Sequence, residues 1–262
     1  MQQAPIKRIA IMTAMPQEFT LLSKRYSAAE SQTIAGRKFL RGSSDDIEVI
    51  LVSSGIGKVA AASTATILLN CFDVDAVVLT GIAGGIHPDV RVGDIVVASH
   101  LVQHDIDLKG VLGYQRFTIP SLGLSHIPVC DTLGEITHLA ASTTVTHSTY
   151  AEGVGEFVPS TAVVHRGIIA SGDTFVSDPA VRCDLQEALP DLLAVEMEGA
   201  AIAQVCVEHG VSYAVARVIS DSADDTAPVD FERFIDRAAA VGTDIFVQEL
   251  LKRIQDCGGR EF

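Results

Sequence analysis

The chain has 262 residues, 48% hydrophobic and 20% charged, and its 33 acidic side chains against 19 basic ones give a formal net charge of −14. That balance excludes the basic stripe a nucleic-acid binder needs, and no run reaches the roughly 18 apolar residues of a membrane span. A small, roughly neutral partner suits such a surface better.

The length allows a substantial core and favours one domain over two. With no Trp, 4 Tyr and 10 Phe, the core falls to Ala, Val, Ile and Leu, the mix of strands buried on both faces. Cys71, Cys130, Cys183, Cys206 and Cys257 are scattered, odd in number and without CxxC spacing. They read as reduced thiols rather than a zinc site or a disulfide framework. The first apolar run is of strand length and lacks a signal-peptide cleavage pattern, so a cytoplasmic protein is expected.

In chain order, RIAIMTAM (Arg8–Met15) reads as a buried strand with a helix from Gln17 to about Arg25 behind it. EVILVSSGIGK is a strand broken at Gly55 and Gly57, and VAAASTATILLN is the helix that follows. AVVLTGIAGGI is a strand ending in glycines, and GDIVVASHLV is the next. The stretch Ser142–Ser160, polar and glycine-containing, reads as an irregular surface excursion. VVHRGIIASGD, LLAVEM and YAVARVISD are three more strands, with helices from Pro179 and Gly199 between them, and a long helix spans about Phe231 to Ile254. Strands alternating with helices mean crossover connections. The expected fold is a single α/β domain over residues 1–262, with a mixed, largely parallel central sheet flanked by helices.

The unusual polar residues fall at strand ends, where α/β sheets bind ligands. Glu18 follows the first strand; TGIAGG, SGDTF (Ser171–Phe175), Glu196 and Glu198 around Met197, and Ser220–Asp221 follow others, while Arg217 sits inside an apolar strand. Carboxylates in apolar settings have pKa values raised toward neutrality, which suits acid/base work. Taken singly, each could be a cap or an ion pair; five such loops converging favour a site. Other motifs are weaker. GIGKV fails the phosphate-loop pattern because Val59 follows Lys58, leaving a tight turn into a helix. TGIAGG lacks the full dinucleotide fingerprint. His104, Asp105 and Asp107 show no further convergent ligands, so no metal is expected. Ser171 and Ser220 lack a nucleophile elbow.

Together, AMPQEFTLL, SGIGKVAAA, TGIAGGI, VGDIVVA, HDID, SGDTF, AVEMEGAAIAQVC and RVISDSAD stand in the order and approximate spacing of one family. From about Lys7 to Lys252, apart from Ser142–Ser160, the chain resembles the 5′-methylthioadenosine/S-adenosylhomocysteine nucleosidases of the nucleoside phosphorylase superfamily. The resemblance implies a nucleoside phosphorylase-like fold, an N-glycosyl hydrolase without cofactor or metal, and a homodimer. It implies Asp221 as the acid that protonates adenine N7 and Glu18 as the group that orients or activates water. Glu198 would accept the ribose hydroxyls and Met197 pack on the sugar, with Glu196 beside them among the substrate-binding residues. Phe175 would stack on adenine and Val176 read its edge. Arg217 and Ser220 would lie beside the acids, Ala83 and Gly84 among the substrate-binding residues, and Ile56 and Phe231 toward the 5′ group. Tyr114, in Leu112–Pro120, would reach the neighbouring subunit's site. The chain departs from the family in Pro16 and Gln17, where acids are usual, in Ile82, where Ser is common, and in the length of Ser142–Ser160. Two alternatives stand beside this reading: a phosphorylase of the same superfamily, and a non-catalytic nucleoside sensor.

Overall fold

The computed structural model describes residues 5–26, 30–155, 157 and 161–257. Strand β1 (Arg8–Thr13) is an apolar run buried almost throughout. Helix α1 (Pro16–Arg25) begins behind it, with Pro16 in the first turn, where its missing N–H costs nothing. Next comes a hairpin that the sequence reading does not foresee, β2 (Glu30–Ile34) and β3 (Arg37–Ser44), paired antiparallel. Ala35 and Gly36 both take positive φ between them, as a two-residue turn of type I′ requires. The hairpin adds to β4 (Ile47–Ser53), which leads through a glycine turn into α2 (Lys58–Cys71).

Strands β5 (Ala76–Gly85) and β6 (Ile95–Gln103) follow, then the two-residue β7 (Ile127–Pro128) and helix α3 (Asp131–Thr146). The remaining elements are α4 (Ser148–Val154), β8 (Val164–Ser171), α5 (Pro179–Ala188), β9 (Leu192–Glu196), α6 (Gly199–His209) and β10 (Ser212–Asp221). A continuous helical run closes the chain: α7 (Ala227–Phe234), a π turn (Ile235–Ala239) and α8 (Ala240–Cys257). It starts four residues before the expected Phe231 and contains a wider turn that periodicity does not reveal.

The expected surface excursion at 142–160 is corrected. Residues 142–146 complete α3 and residues 148–154 form α4; residues 156 and 158–160 lie outside the described residues. Tyr150 is fully buried and donates its hydroxyl to the Gly93 carbonyl at 2.6 Å. The stretch looks like a loop because it is rich in Ser and Thr. Ser142, Thr143 and Thr144 instead turn their hydroxyls back to the carbonyls four residues earlier, at His138, Leu139 and Ala140.

The sheet is mixed. β1 runs parallel to β4 and β5, and β5 parallel to β10. A second set, β6, β8 and β9, is parallel within itself. The two sets meet antiparallel, β6 against β10 and β9 against β5, so five strands close into a ring from which β1, β4, β3 and β2 extend. The β5–β9 contact pairs Gly84 with Val195 and Gly85 with Ala194, at the carboxyl ends of both strands. The strand ends therefore converge from two opposed sets rather than from one edge of an open sheet. Helix α3 packs on α8, α1 on α8, and α2 on α6. Among the described residues, no helix is long and apolar enough to cross a membrane.

Candidate active site

Where the strand ends meet, a cavity of about 270 Å³ opens. Twelve of the anticipated residues line it: Glu18, Ile56, Ala83, Gly84, Phe175, Val176, Glu196, Met197, Glu198, Ser220, Asp221 and Phe231. Ala14, Met15, Ile82, Thr174 and Val195 complete the wall. Arg217 lies immediately behind it, and Tyr114 is elsewhere, half-buried in the long β6–β7 connection. Within one chain, the structure does not bring Tyr114 to the cavity.

Glu18 is 1% exposed. Its Oε2 accepts the N–H groups of Ala14 at 2.9 Å and Met15 at 2.8 Å, and its Oε1 accepts that of Ile82 at 2.9 Å. A carboxylate offers about four lone-pair positions, which leaves Oε1 room for one more donor. Burial raises its pKa; Arg217 and the three N–H groups reverse only part of that rise. Gly81 must lack a side chain here. A Cβ would sit 2.3 Å from Glu18 Oε1 and 2.7 Å from Arg217 Nη1, and its φ of +144° already disfavours other residues.

Arg217 is the fully buried cation that makes the glutamates tolerable. Its Nη2 bonds Glu196 Oε2 and, at 3.0 Å, Glu198 Oε2. Burial opposes its charge, but Glu196, Glu198 and Glu18 more than offset this, and its pKa is raised. Glu196 is saturated by protein donors. It accepts from the Ser171 hydroxyl, from Arg217, and from the N–H groups of Glu198 at 3.1 Å and Gly199 at 2.9 Å. It braces the turn into α6 and keeps little capacity for a ligand, although one side of it faces the cavity. Glu198 differs. Its Oε1 accepts the Gly57 N–H at 2.8 Å and its Oε2 accepts Arg217, so lone pairs remain toward the cavity. Burial first, then the neighbouring Glu196 and Glu18 charges, push its pKa up to about 7 against the pull of Arg217 and Gly57.

Asp221, 2% exposed, terminates β10. Its Oδ1 accepts the Ala223 N–H at 2.9 Å, and its Oδ2 accepts the Ser220 hydroxyl at 2.8 Å. Burial raises its pKa; Ser220 and Ala223 lower it, and the Asp224 and Asp230 charges raise it further. Over the mouth, the Phe175 and Phe231 rings meet edge to face with centroids 5.4 Å apart. Phe175 remains 40% exposed and Ile56 56% exposed, an apolar rim open to solvent.

The HDID residues do not converge on a common point. His104 N–H donates to the Ser171 carbonyl, Asp105 pairs with Lys58, and Asp107 accepts the Lys109 N–H. Sequence reasoning missed the backbone donors: Gly57, Ile82, Ala14 and Met15 all hold site carboxylates through main-chain N–H groups. The glycine-broken strand ends were the available signal.

The family model described as Phosphorylase superfamily matches residues 8–252. The 5′-methylthioadenosine/S-adenosylhomocysteine nucleosidase of Bacillus pumilus is 37% identical over 248 residues, covering 95% of this chain and all of that one. The Neisseria meningitidis nucleosidase of the same description, solved with methylthio-immucillin-A, superposes with a TM-score of 0.83 at 31% identity, covering 94% of this chain and 99% of that one. The native futalosine hydrolase of Helicobacter pylori superposes at 0.81 with 30% identity, covering 94% and 98%. With a family model over residues 8–252 and relatives above 30% identity along more than nine-tenths of its length, the chain belongs to the phosphorylase superfamily and, within it, to the 5′-methylthioadenosine/S-adenosylhomocysteine nucleosidases.

Proposed function

We propose that the protein cleaves 5′-methylthioadenosine and S-adenosylhomocysteine at the N-glycosidic bond, and that its three cavity carboxyls divide the work. Asp221 gives its proton to adenine N7. The C1′–N9 bond breaks, its electron pair leaves with the base, and adenine departs neutral. Glu18 takes a proton from water as the water oxygen bonds to C1′. Glu198 accepts the ribose hydroxyls, whose hydrogen bonds strengthen as positive charge grows on the sugar. Phe175 and Val176 hold the base, and Met197 packs on the sugar. The rim of Ile56 and Phe231 suits an apolar thioether at the 5′ position.

The observation that carries this reading is the position of Glu18. The start of α1, the Ile82 N–H and the Arg217 charge together form a ready-made anion site. A built-in carboxylate already fills it. Phosphate would have to displace Glu18 from three N–H groups and then share the space with two more glutamates, whereas neutral water needs only the free lone pair. Water is therefore the nucleophile. We also propose a cytoplasmic homodimer in which Tyr114 of the partner subunit completes the 5′ end of the cavity.

Incubation with methylthioadenosine, with and without phosphate, tests the reaction. The expected products are adenine and free methylthioribose at a rate indifferent to phosphate. A sugar 1-phosphate would overturn the choice of water, and binding without any product would leave a sensor.

A further inference from the structure

Behind the cavity's rim, three residues close a hydrogen-bonded circuit between elements distant in sequence. The Lys58 N–H donates to Asp173 Oδ1 at 2.7 Å. The Asp173 N–H donates to Asp105 Oδ2 at 3.0 Å. The Lys58 ammonium returns to Asp105 Oδ1 at 2.5 Å and also reaches Gln103 Oε1 at 3.1 Å. Lys58 starts α2, Asp105 follows β6, and Asp173 sits in the loop between β8 and α5 that carries Phe175.

The start of α2 explains why these residues matter to the cavity. Gly57 occupies the N-cap position and has no side chain with which to cap its own helix. Two carboxylates from elsewhere take over. Glu198 accepts the Gly57 N–H and Asp173 the Lys58 N–H, both drawn to the positive end of the helix dipole. One helix terminus is thus shared between the ribose-facing glutamate and the loop of the base-facing phenylalanine. The fit is close: a Cβ on Gly57 would lie 2.9 Å from Asp173 Oδ1, and its φ is +96°.

We infer that Lys58, Asp105 and Asp173 are positioning residues, a clasp that fixes the Phe175 loop against the Gly57 amide and so sets the distance between the base wall and Glu198. In its reference to base and ribose this rests on the proposed function. The clasp acts on neither reacting bond. Its effect is to hold ready a wall whose outer residues, Asp173, Thr174 and Phe175, are otherwise exposed. A stability role alone would be small, because part-exposed ion pairs and single caps stabilise a fold only modestly.

Two variants separate these roles. Lys58→Met keeps the aliphatic stem and removes both ammonium bonds. Asp173→Ala, at an exposed position, opens the Lys58 N–H and leaves the Lys58–Asp105 pair in place. In the ligand-free protein, hydrogen–deuterium exchange across residues 172–177 should quicken in both variants while β5 and β10 stay unchanged. The KM for methylthioadenosine should rise about tenfold, with a much smaller change in kcat, as expected when a charge-assisted hydrogen bond that orders a binding wall is lost. Unchanged exchange in the loop, or equal acceleration throughout the sheet, overturns the clasp. So does an unchanged KM in variants of an active enzyme. The exchange arm requires no substrate, so a protein inactive on methylthioadenosine would refute the nucleosidase reading and still leave the clasp decided.

Discussion

Ser220 has one hydroxyl proton and two acceptors within reach, Asp221 Oδ2 at 2.8 Å and the Ala83 carbonyl at 3.2 Å. While Asp221 is ionised, the hydroxyl serves the carboxylate. Once Asp221 is protonated, the carboxyl can donate to Ser220 and the hydroxyl can turn to Ala83. Both protonation states are satisfied, which is what a proton donor must offer in the course of turnover. Asp221→Asn preserves the shape but has no proton to deliver. We expect kcat on methylthioadenosine to fall by about 10²–10⁴-fold, the usual worth of general acid catalysis, with binding retained. A 5′-thio riboside with a nitrophenyl leaving group should lose far less, since that group departs without protonation. Near-normal turnover of methylthioadenosine would move the acid's role away from Asp221. Glu198 yields a second test, through stability. Its pKa rises from 4.5 to about 7 on folding, so the folded state holds its proton more tightly than the unfolded chain. The contribution is fully present below about pH 4.5 and is lost as pH climbs through 7, on the order of a few kcal/mol in all. Thermal stability of the wild type should therefore decline from pH 5 to pH 8, and Glu198→Gln should make that decline shallower, the part due to the likewise raised Glu18 and Asp221 carboxyls remaining. An equally steep decline in the variant would show that Glu198 contributes nothing to it.

At the scale of elements, legibility followed burial. β1, β5 and β9 were readable because strands buried on both faces are written as near-continuous apolar runs. β2 was not, because all of its residues but Ile34 are exposed and ESQTI carries no alternation. β3 has only Phe39 and Leu40 buried side by side, and the hairpin is signalled by the Ala35–Gly36 turn rather than by its strands. The end of α3 was hidden by side-chain chemistry, since Ser and Thr normally compete with the helix backbone and Ser142, Thr143 and Thr144 here return their hydroxyls to it. The cavity was more legible than the fold around it. β5 and β9 meet antiparallel at the carboxyl ends of both, so the open-sheet rule placed Glu18, Glu198 and Asp221 together even though five strands close a ring. What the rule could not supply was the brace. Glu196 and Glu198 are two residues apart and similar in sequence context. Only the Ser171 hydroxyl and the α6 amides distinguish the saturated carboxylate from the one left open to a ligand.

For the whole molecule, the open question is what covers the β6–β7 connection. Its tip exposes Val111 at 53% and Leu112 at 89%. Leu112 also holds a φ of +50°, a left-handed conformation that costs a branched L-residue about 1 kcal/mol or more. An apolar side chain strained outward into water is poorly placed in a lone chain, and better placed if it enters a second copy. The same connection carries Tyr114, which lies away from its own chain's cavity. A homodimer of twofold symmetry answers both observations, because each copy would offer its loop to the other in an identical contact. Sedimentation at micromolar concentration should give twice the 27.7 kDa chain mass. Leu112→Asp should shift that equilibrium toward the monomer and raise the KM for methylthioadenosine more than it lowers kcat. Tyr114 of the partner subunit would touch the 5′ group and not the reacting bond. Tyr114→Ala should reproduce the KM change without dissociating the dimer. A wild-type monomer with full activity would refute the assembly. A dimer whose KM ignores Tyr114→Ala would keep the assembly and remove the shared site.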